Sequence, residues 1–142
     1  MTLFNIRQIH WNQGNNPCAL IRKQVFVEEQ QVPETLEWDE HDVLSRHFLA
    51  ETNDGLAVGC ARLLPDGHIG RMAVLPLWRG NGIGSLLMQA LEAQAKQLGF
   101  AKTLLSAQTH AIGFYQRQGY AIVSETYMDA GIPHQTMEKQ LP

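Results

Sequence analysis

Apolar and polar residues alternate from Leu3 to His10, the pattern of a strand that buries one face. Asn16 before Pro17 reads as an N-cap and first helical position. The helix is expected to run to about Gln30, with Ile21 and Val25 on its buried stripe. The next stretch, Gln31 to Leu44, holds Pro33 and five acids (Glu34, Glu37, Asp39, Glu40, Asp42) without a Lys or Arg, and reads as a long loop with one helical turn. Two strands near Ser45–Glu51 and Ala57–Leu64 follow, joined by a turn at Asn53-Asp54-Gly55. Pro65-Asp66-Gly67 then turns the chain into a third strand, His68–Leu75, which Pro76 ends. From Ile83 the period changes. Ile83, Leu86, Leu87, Ala90, Leu91, Gln94, Ala95 and Leu98 share one helical face, with Gly99 as the stop. Thr103–Ala107 reads as a short strand and Thr109–Gln118 as a shorter helix stopped by Gly119. Tyr120–Tyr127 and Gln135–Lys139 close the chain as strands separated by Gly131-Ile132-Pro133. The order β α β β β α β α β β predicts a single α/β domain over residues 1–142, a mixed sheet with helices packed on its faces.

Composition supplies a core and removes several function classes. At 142 residues, 44% hydrophobic and 18% charged, the chain suits one compact domain rather than disorder. A net charge of −3 with thinly spread Lys and Arg offers no stripe for nucleic acid and no polybasic helix for a membrane. Met1 to His10 lacks the apolar centre of a signal peptide, and no segment has the length of a membrane-spanning helix. Cys18 and Cys60 each sit inside an apolar segment, as small core thiols of a cytoplasmic protein. None of the six histidines stands at a ligand spacing such as H-x-x-x-H, so no metal is expected.

The stretch that carries chemistry is Arg79-Gly80-Asn81-Gly82-Ile83-Gly84, between a strand and the long helix. Alternating glycines let backbone amides approach a ligand, and the helix N-terminus adds unpaired N–H groups and partial positive charge. With the Arg79 cation, this is a site for phosphate or diphosphate. The Rossmann fingerprint fails because Ser85 stands where its third glycine belongs, and the P-loop fails for want of a lysine. What remains is R-x-x-G-x-G.

That loop resembles the acyl-CoA diphosphate loop of the GCN5-related N-acetyltransferases (GNAT). Ile69-Gly70-Arg71-Met72-Ala73-Val74 resembles their central strand, and Ala111-x-x-Phe114-Tyr115-x-x-x-Gly119-Tyr120 their second signature. Val25-Phe26-Val27-Glu28-Glu29-Gln30 and Ala130-Gly131-Ile132-Pro133-His134 are similar to the small bacterial ElaA-like and YjcF-like branch. The resemblance implies a GNAT-like acyl-CoA N-acyltransferase fold, with acetyl-CoA as cosubstrate. It implies that the backbone of Met72, Ala73 and Val74 holds the pantetheine arm and offers an oxyanion donor. Arg79, Gly80, Asn81, Gly82, Ile83, Gly84 and Ser85 would take the diphosphate, and Tyr115 would be the general acid. Gln108 replaces an asparagine that contacts pantetheine in many members, offering the same amide one methylene further out.

The implied activity is acetyl transfer to a primary amine of a small molecule, by direct attack in a ternary complex. For the general base, Glu28, Glu29, Asp39, Asp42, His110 and His134 are candidates, His134 first for its place beside the last strand. Arg62 and Arg71, on neighbouring strands, could clamp an anionic group of the acceptor or pair with Glu28 or Asp39. Glu29 and Asp39 could meet a cationic amine. The terminal strands could exchange between subunits of a homodimer. Two other classes keep the glycine loop: a non-catalytic acyl-CoA-binding module, which does not need Tyr115, and an ordinary ATP- or NAD-binding domain.

Overall fold

The computed structural model describes residues 3–11 and 16–142. Met1 and Thr2 of the alternating N-terminal stretch lie outside them. Strands β1 (Phe4–Ile9), β2 (Arg46–Thr52), β3 (Ala57–Leu63) and β4 (His68–Val74) form an antiparallel meander. β5 (Lys102–Gln108) runs parallel to β4, and β8 (Ile132–Gln140) pairs antiparallel with β5. β8 also carries β6 (Ala121–Ile122) and β7 (Tyr127–Asp129), giving the order β1-β2-β3-β4-β5-β8-β6. This is the expected mixed sheet.

Helix α3 (Ile83–Gln97) makes the β4–β5 crossover and covers one face. Its stripe Ile83, Leu87, Met88, Leu91 and Ala95 is buried against Phe48, Ala50, Val58, Ala61 and Ile69. Burial of side chains this size stabilises by roughly 1.5–3 kcal/mol each. Gly59 makes the close approach possible, since a Cβ there would lie 3.1 Å from Ile83 Cγ2 and 3.2 Å from the Ala73 carbonyl oxygen. Helix α1 (Pro17–Arg22) covers the other face, placing Cys18 and Ile21 against Leu49, Cys60 and Ala73. The two thiols are buried and free, as expected. Asn16 caps α1 by accepting from the Cys18 and Ala19 amides. β3 is covered on both faces, so it is apolar almost throughout rather than alternating.

Several boundaries differ from the expected ones. The first helix changes to a π-helical turn over Lys23–Glu29, closed by the Gln30 amide on the Val25 carbonyl. The one helical turn in the acidic loop is α2 (Glu34–Glu37). Thr109–Ala111 is 3-10 and only Ile112–Arg117 is α-helical (α4). The strand expected over Tyr120–Tyr127 is broken into β6 and β7, both dependent on β8 for partners. The turn before β8 is Ala130-Gly131, both at positive φ, so Ile132 and Pro133 belong to the strand.

The acidic loop is tied to the sheet by ion pairs behind the α1 face. Arg22 reaches Glu37 at 2.8 Å and Asp42 at 2.7 Å. Arg62 reaches Asp39 and Asp42, each at 2.8 Å. Arg71 reaches Glu37 at 3.0 Å. The Arg22 guanidinium lies 5.0 Å from each of the Trp11 and Trp38 ring centroids. His47 donates from Nε2 to the Asp42 carbonyl, and burial lowers its pKa. Burial works to raise the Asp42 carboxyl, but hydrogen bonds and charge from Arg22, with a further bond from Arg62, outweigh it and hold that carboxyl below the usual range.

A depressed folded-state pKa contributes stability above the ordinary aspartate value of about 3.9 and loses it as pH falls through the lower folded value. The expected outcome is that wild-type stability to urea drops below about pH 4. Asp42→Asn should lose about 3 kcal/mol at pH 7, because it removes the one carboxylate that two buried guanidiniums share, and should show a flatter acid limb. Equal urea midpoints for the two proteins at pH 7 would contradict this.

Candidate active site

Among the described residues, β4 and β5 pair at two positions only, His68↔Leu104 and Ile69↔Leu105. Beyond Ile69 the strands part, while β5 stays in register with β8 through Gln108↔His134. The gap opens a cavity of about 1210 Å³. Its floor is Gly70 to Val74. One end is the glycine loop and the start of α3, and the other is Gln30, Gln108, Ile132 and His134. Leu36 and Glu37 of α2 and the π-helical turn form the wall on the α1 side.

The glycine loop divides its work. Gly80 and Gly82 have φ of 82° and 79°, and a Cβ on either would meet nothing within 4 Å. They are shaped for backbone that faces a ligand. Gly84 serves packing instead, since a Cβ there would lie 3.0 Å from the Phe114 ring. Ile83 is buried, with its side chain in the core. Asn81 is not among the lining residues; its amide donates to the Trp78 and Arg79 carbonyls and braces the loop. Ser85 Oγ accepts from Gln118 Nε2 at 2.8 Å, which leaves its own proton to donate.

Arg79 is engaged on both sides. Its Nε donates to the Val74 carbonyl at 2.9 Å, and its two Nη groups grip Glu29 at 2.8 and 2.7 Å. The hydrogen bond from Arg79 lowers the Glu29 carboxyl pKa. Glu29 thus meets a cation of the protein itself at the cavity mouth. The next residue, Gln30, accepts from Gln108 Nε2 at 2.8 Å, and Gln108 Oε1 accepts from His110 Nε2 at 2.6 Å.

Tyr115 lies opposite the β4 floor, its hydroxyl 4.0 Å from Met72 Sδ. Burial pushes its pKa up to about 12, so it holds its proton throughout the ordinary range. His134 is nearly buried and stacks on Tyr127, whose hydroxyl bonds Ser106 and Thr136. His134 Nδ1 lies 2.7 Å from the Ile132 carbonyl oxygen. A carbonyl only accepts, so Nδ1 carries the proton and the neutral ring keeps its lone pair on Nε2.

The remaining expected site residues separate. Arg71 lines the cavity. Arg62 and Asp39 do not; they bond each other behind the sheet, the pairing that the sequence left open as the alternative to acceptor contact. Asp42 is buried in the same network, which removes it from the candidate bases. Glu28 also lies outside the lining. Sequence reasoning missed Trp78, Arg117 and Gln118, which line the cavity beside the loop. Gln118 follows Tyr115 by three residues, a helical spacing that signals a shared face. Trp78 has no such signal.

The glycine cradle, the extended open edge of β4 and the hydroxyl of Ser85 fit a diphosphate joined to a long amide-bearing arm. Residues 11–141 match the family described as Acetyltransferase (GNAT) domain. The uncharacterized N-acetyltransferase YjcF of Bacillus subtilis is 40% identical over 123 residues, 84% of this chain and 87% of that protein. Protein ElaA of Escherichia coli is 35% identical over 129 residues, 85% and 84% of the two chains. The crystal structure of ElaA superposes with a TM-score of 0.82 at 30% identity, covering 96% of this chain and 99% of that one. A GNAT family acetyltransferase from Elizabethkingia anophelis, solved with acetyl-CoA bound, shares the fold with a TM-score of 0.74 at 19% identity, covering 99% and 100%. With the cavity, the loop and these relatives all agreeing, this chain belongs to the GNAT acetyltransferase family and is an acetyltransferase enzyme.

Proposed function

We propose that this enzyme transfers the acetyl group of acetyl-CoA to the primary amine of a small molecule, by direct attack in a ternary complex. The observation that carries the reading is the parted β4–β5 edge, with a glycine cradle at one end and the Tyr115 hydroxyl over Met72 on its floor. Acetyl-CoA supplies the thioester carbonyl and a thiolate leaving group. The amides of Gly80 and Gly82, the Ser85 hydroxyl and Arg79 bind the diphosphate. Met72, Ala73 and Val74 hold the pantetheine arm along the open strand edge, with Gln108 at its far end. Tyr115 holds a proton at Oη for the departing sulfur. His134 offers Nε2 to the amine proton. Direct attack is supported by the cysteines, because Cys18 and Cys60 are buried outside the cavity and present no nucleophile to it.

Arg71, Glu29 and His110 line the same cavity, and of these His110, beside Gln108, is the one that stays near the acceptor. A small acceptor agrees with a cavity walled by α2 and the π-helical turn. The proposed location is the cytoplasm; no helix among the described residues is long and apolar enough to cross a membrane. Exposed Ile122, Val123 and Met128 beside the β6 edge agree with a homodimer.

Calorimetric titration with acetyl-CoA, CoA, ATP and NAD tests the cofactor. Micromolar binding of the first two alone is expected, and preference for ATP or NAD refutes the reading. Tyr115→Phe should cut thiol release in an amine panel by about 100-fold, the scale of a general acid, with acetyl-CoA affinity within twofold of wild type. Because an acid acts only while protonated, Tyr115 should impose no fall in rate until pH approaches its pKa of about 12. Unchanged turnover in the phenylalanine variant would remove Tyr115 from the chemistry. Glu29→Gln frees Arg79 from its bidentate partner, so acetyl-CoA should bind about threefold tighter at low salt, in proportion to an exposed ion pair. A weaker affinity would mean that Glu29 supports the site rather than competes for it.

A further inference from the structure

Arg71 sits in the left-handed region, at φ 50°, in the middle of β4. There the register passes from Cys60↔Ala73 to Arg62↔Gly70, so that an extra residue of β4 bulges out. Glycine is the usual residue for such a bulge conformation, and an L side chain is strained in it. The strain persists only where the surroundings hold it.

The guanidinium of Arg71 provides that hold. Its Nε lies 3.0 Å from Glu37 Oε2, and Nε and Nη2 both donate to the Glu37 carbonyl at 3.4 Å. Glu37 is buried and fixed from behind by Arg22 at 2.8 Å, with Arg22 held between two tryptophan rings. The anchor is therefore rigid, and the fork is satisfied within the protein.

The bulge has a direction. The Arg71 carbonyl is turned to β3, where it accepts from Cys60 Sγ at 3.8 Å. The chain has no cis peptide among the described residues. Across a trans peptide the following N–H points the opposite way. The Met72 amide is thus turned from β3 towards the edge that β5 has left. We propose that Arg71 is a positioning residue, whose ion pair with Glu37 holds the β4 bulge in its strained form so that the Met72 N–H meets the acetyl carbonyl. The inference rests on the acetyl-CoA reading above and assigns Arg71 to the scaffold rather than to the acceptor.

Isotope-edited infrared spectroscopy reads this contact without an acceptor. Acetyl-CoA labelled with carbon-13 at the thioester carbonyl is bound to wild type, Arg71→Gly and Arg71→Ala. A carbonyl that accepts a hydrogen bond absorbs at lower frequency, so wild type should show a red shift relative to free acetyl-CoA. Glycine adopts positive φ without strain, so Arg71→Gly should keep most of the shift. Arg71→Ala has the strain without the anchor and should lose most of it, with acetyl-CoA affinity still within about threefold because the glycine loop holds the diphosphate. Should the alanine variant not fold, Arg71→Met keeps the stem packing and should lose the shift likewise. A full shift in the folded alanine or methionine variant overturns the proposal. So does a loss in Arg71→Gly as large as in alanine, which would place the guanidinium in the site. Wild type that binds acetyl-CoA with no shift overturns the placement of the Met72 amide alone. Failure of wild type to bind acetyl-CoA overturns the cofactor reading beneath it.

Discussion

A strand in the middle of a sheet cannot part from its neighbour without leaving backbone donors and acceptors exposed to whatever fills the gap. β4 is such a strand. It pairs with β3 along its length and leaves β5 after Ile69. One of the groups so released, the Val74 carbonyl, is taken by Arg79 Nε. Others face the cavity, where an extended amide-bearing ligand can complete the sheet as a missing strand would. The rest of the molecule can be understood as keeping that edge open. β8 holds β5 from the far side, α3 occupies the crossover, and Gly59 lets the α3 N-terminus close on β3 and β4.

The second demand is geometric. An open edge is useful only if its amides point in a defined direction, and the β4 bulge sets that direction at some cost in backbone strain. The ion-pair network behind the sheet answers it. Arg22, Arg62 and Arg71 balance Glu37, Asp39 and Asp42, so the buried charges are compensated. Such networks are weak evidence of net stability, because desolvation offsets most of the attraction. Their value here is placement: they bind the acidic loop to β3 and β4, and so fix α2 as a wall of the cavity.

The π-helical turn joins the two ends of the site. Consecutive residues, Glu29 and Gln30, reach Arg79 at the glycine loop and Gln108 at the end of β5. Both partners are residues assigned to the cofactor. The wall on the α1 side is thereby hydrogen-bonded to the two residues proposed for the diphosphate and the pantetheine. π-turns of this kind recur at functional sites, since the wider helix offsets successive side chains from the regular face.

Local sequence was sufficient for most of the fold, because the relevant forces act over a few residues. The Asn16 cap, the helical stripe from Ile83 to Ala95 and the glycine loop are short-range patterns, and each forms where it was expected. The structure also brings the second signature to the central strand, with the Tyr115 hydroxyl 4.0 Å from Met72 Sδ. Long-range partners were not legible. Whether Arg62 and Arg71 faced an acceptor or an acid depended on where the acidic loop docks, and no periodicity encodes that; the structure sends Arg62 into the network and leaves Arg71 shared between network and cavity. Gly84 looked identical to Gly82 in the sequence, yet the Phe114 ring gives it a packing role. The break between β6 and β7 likewise followed from their shared dependence on β8. The sequence by itself determined most of the elements, their order and the glycine loop, which rest on local backbone chemistry. Only the tertiary structure decided which charges pair with one another and which line the cavity, because that depends on groups brought together from distant parts of the chain.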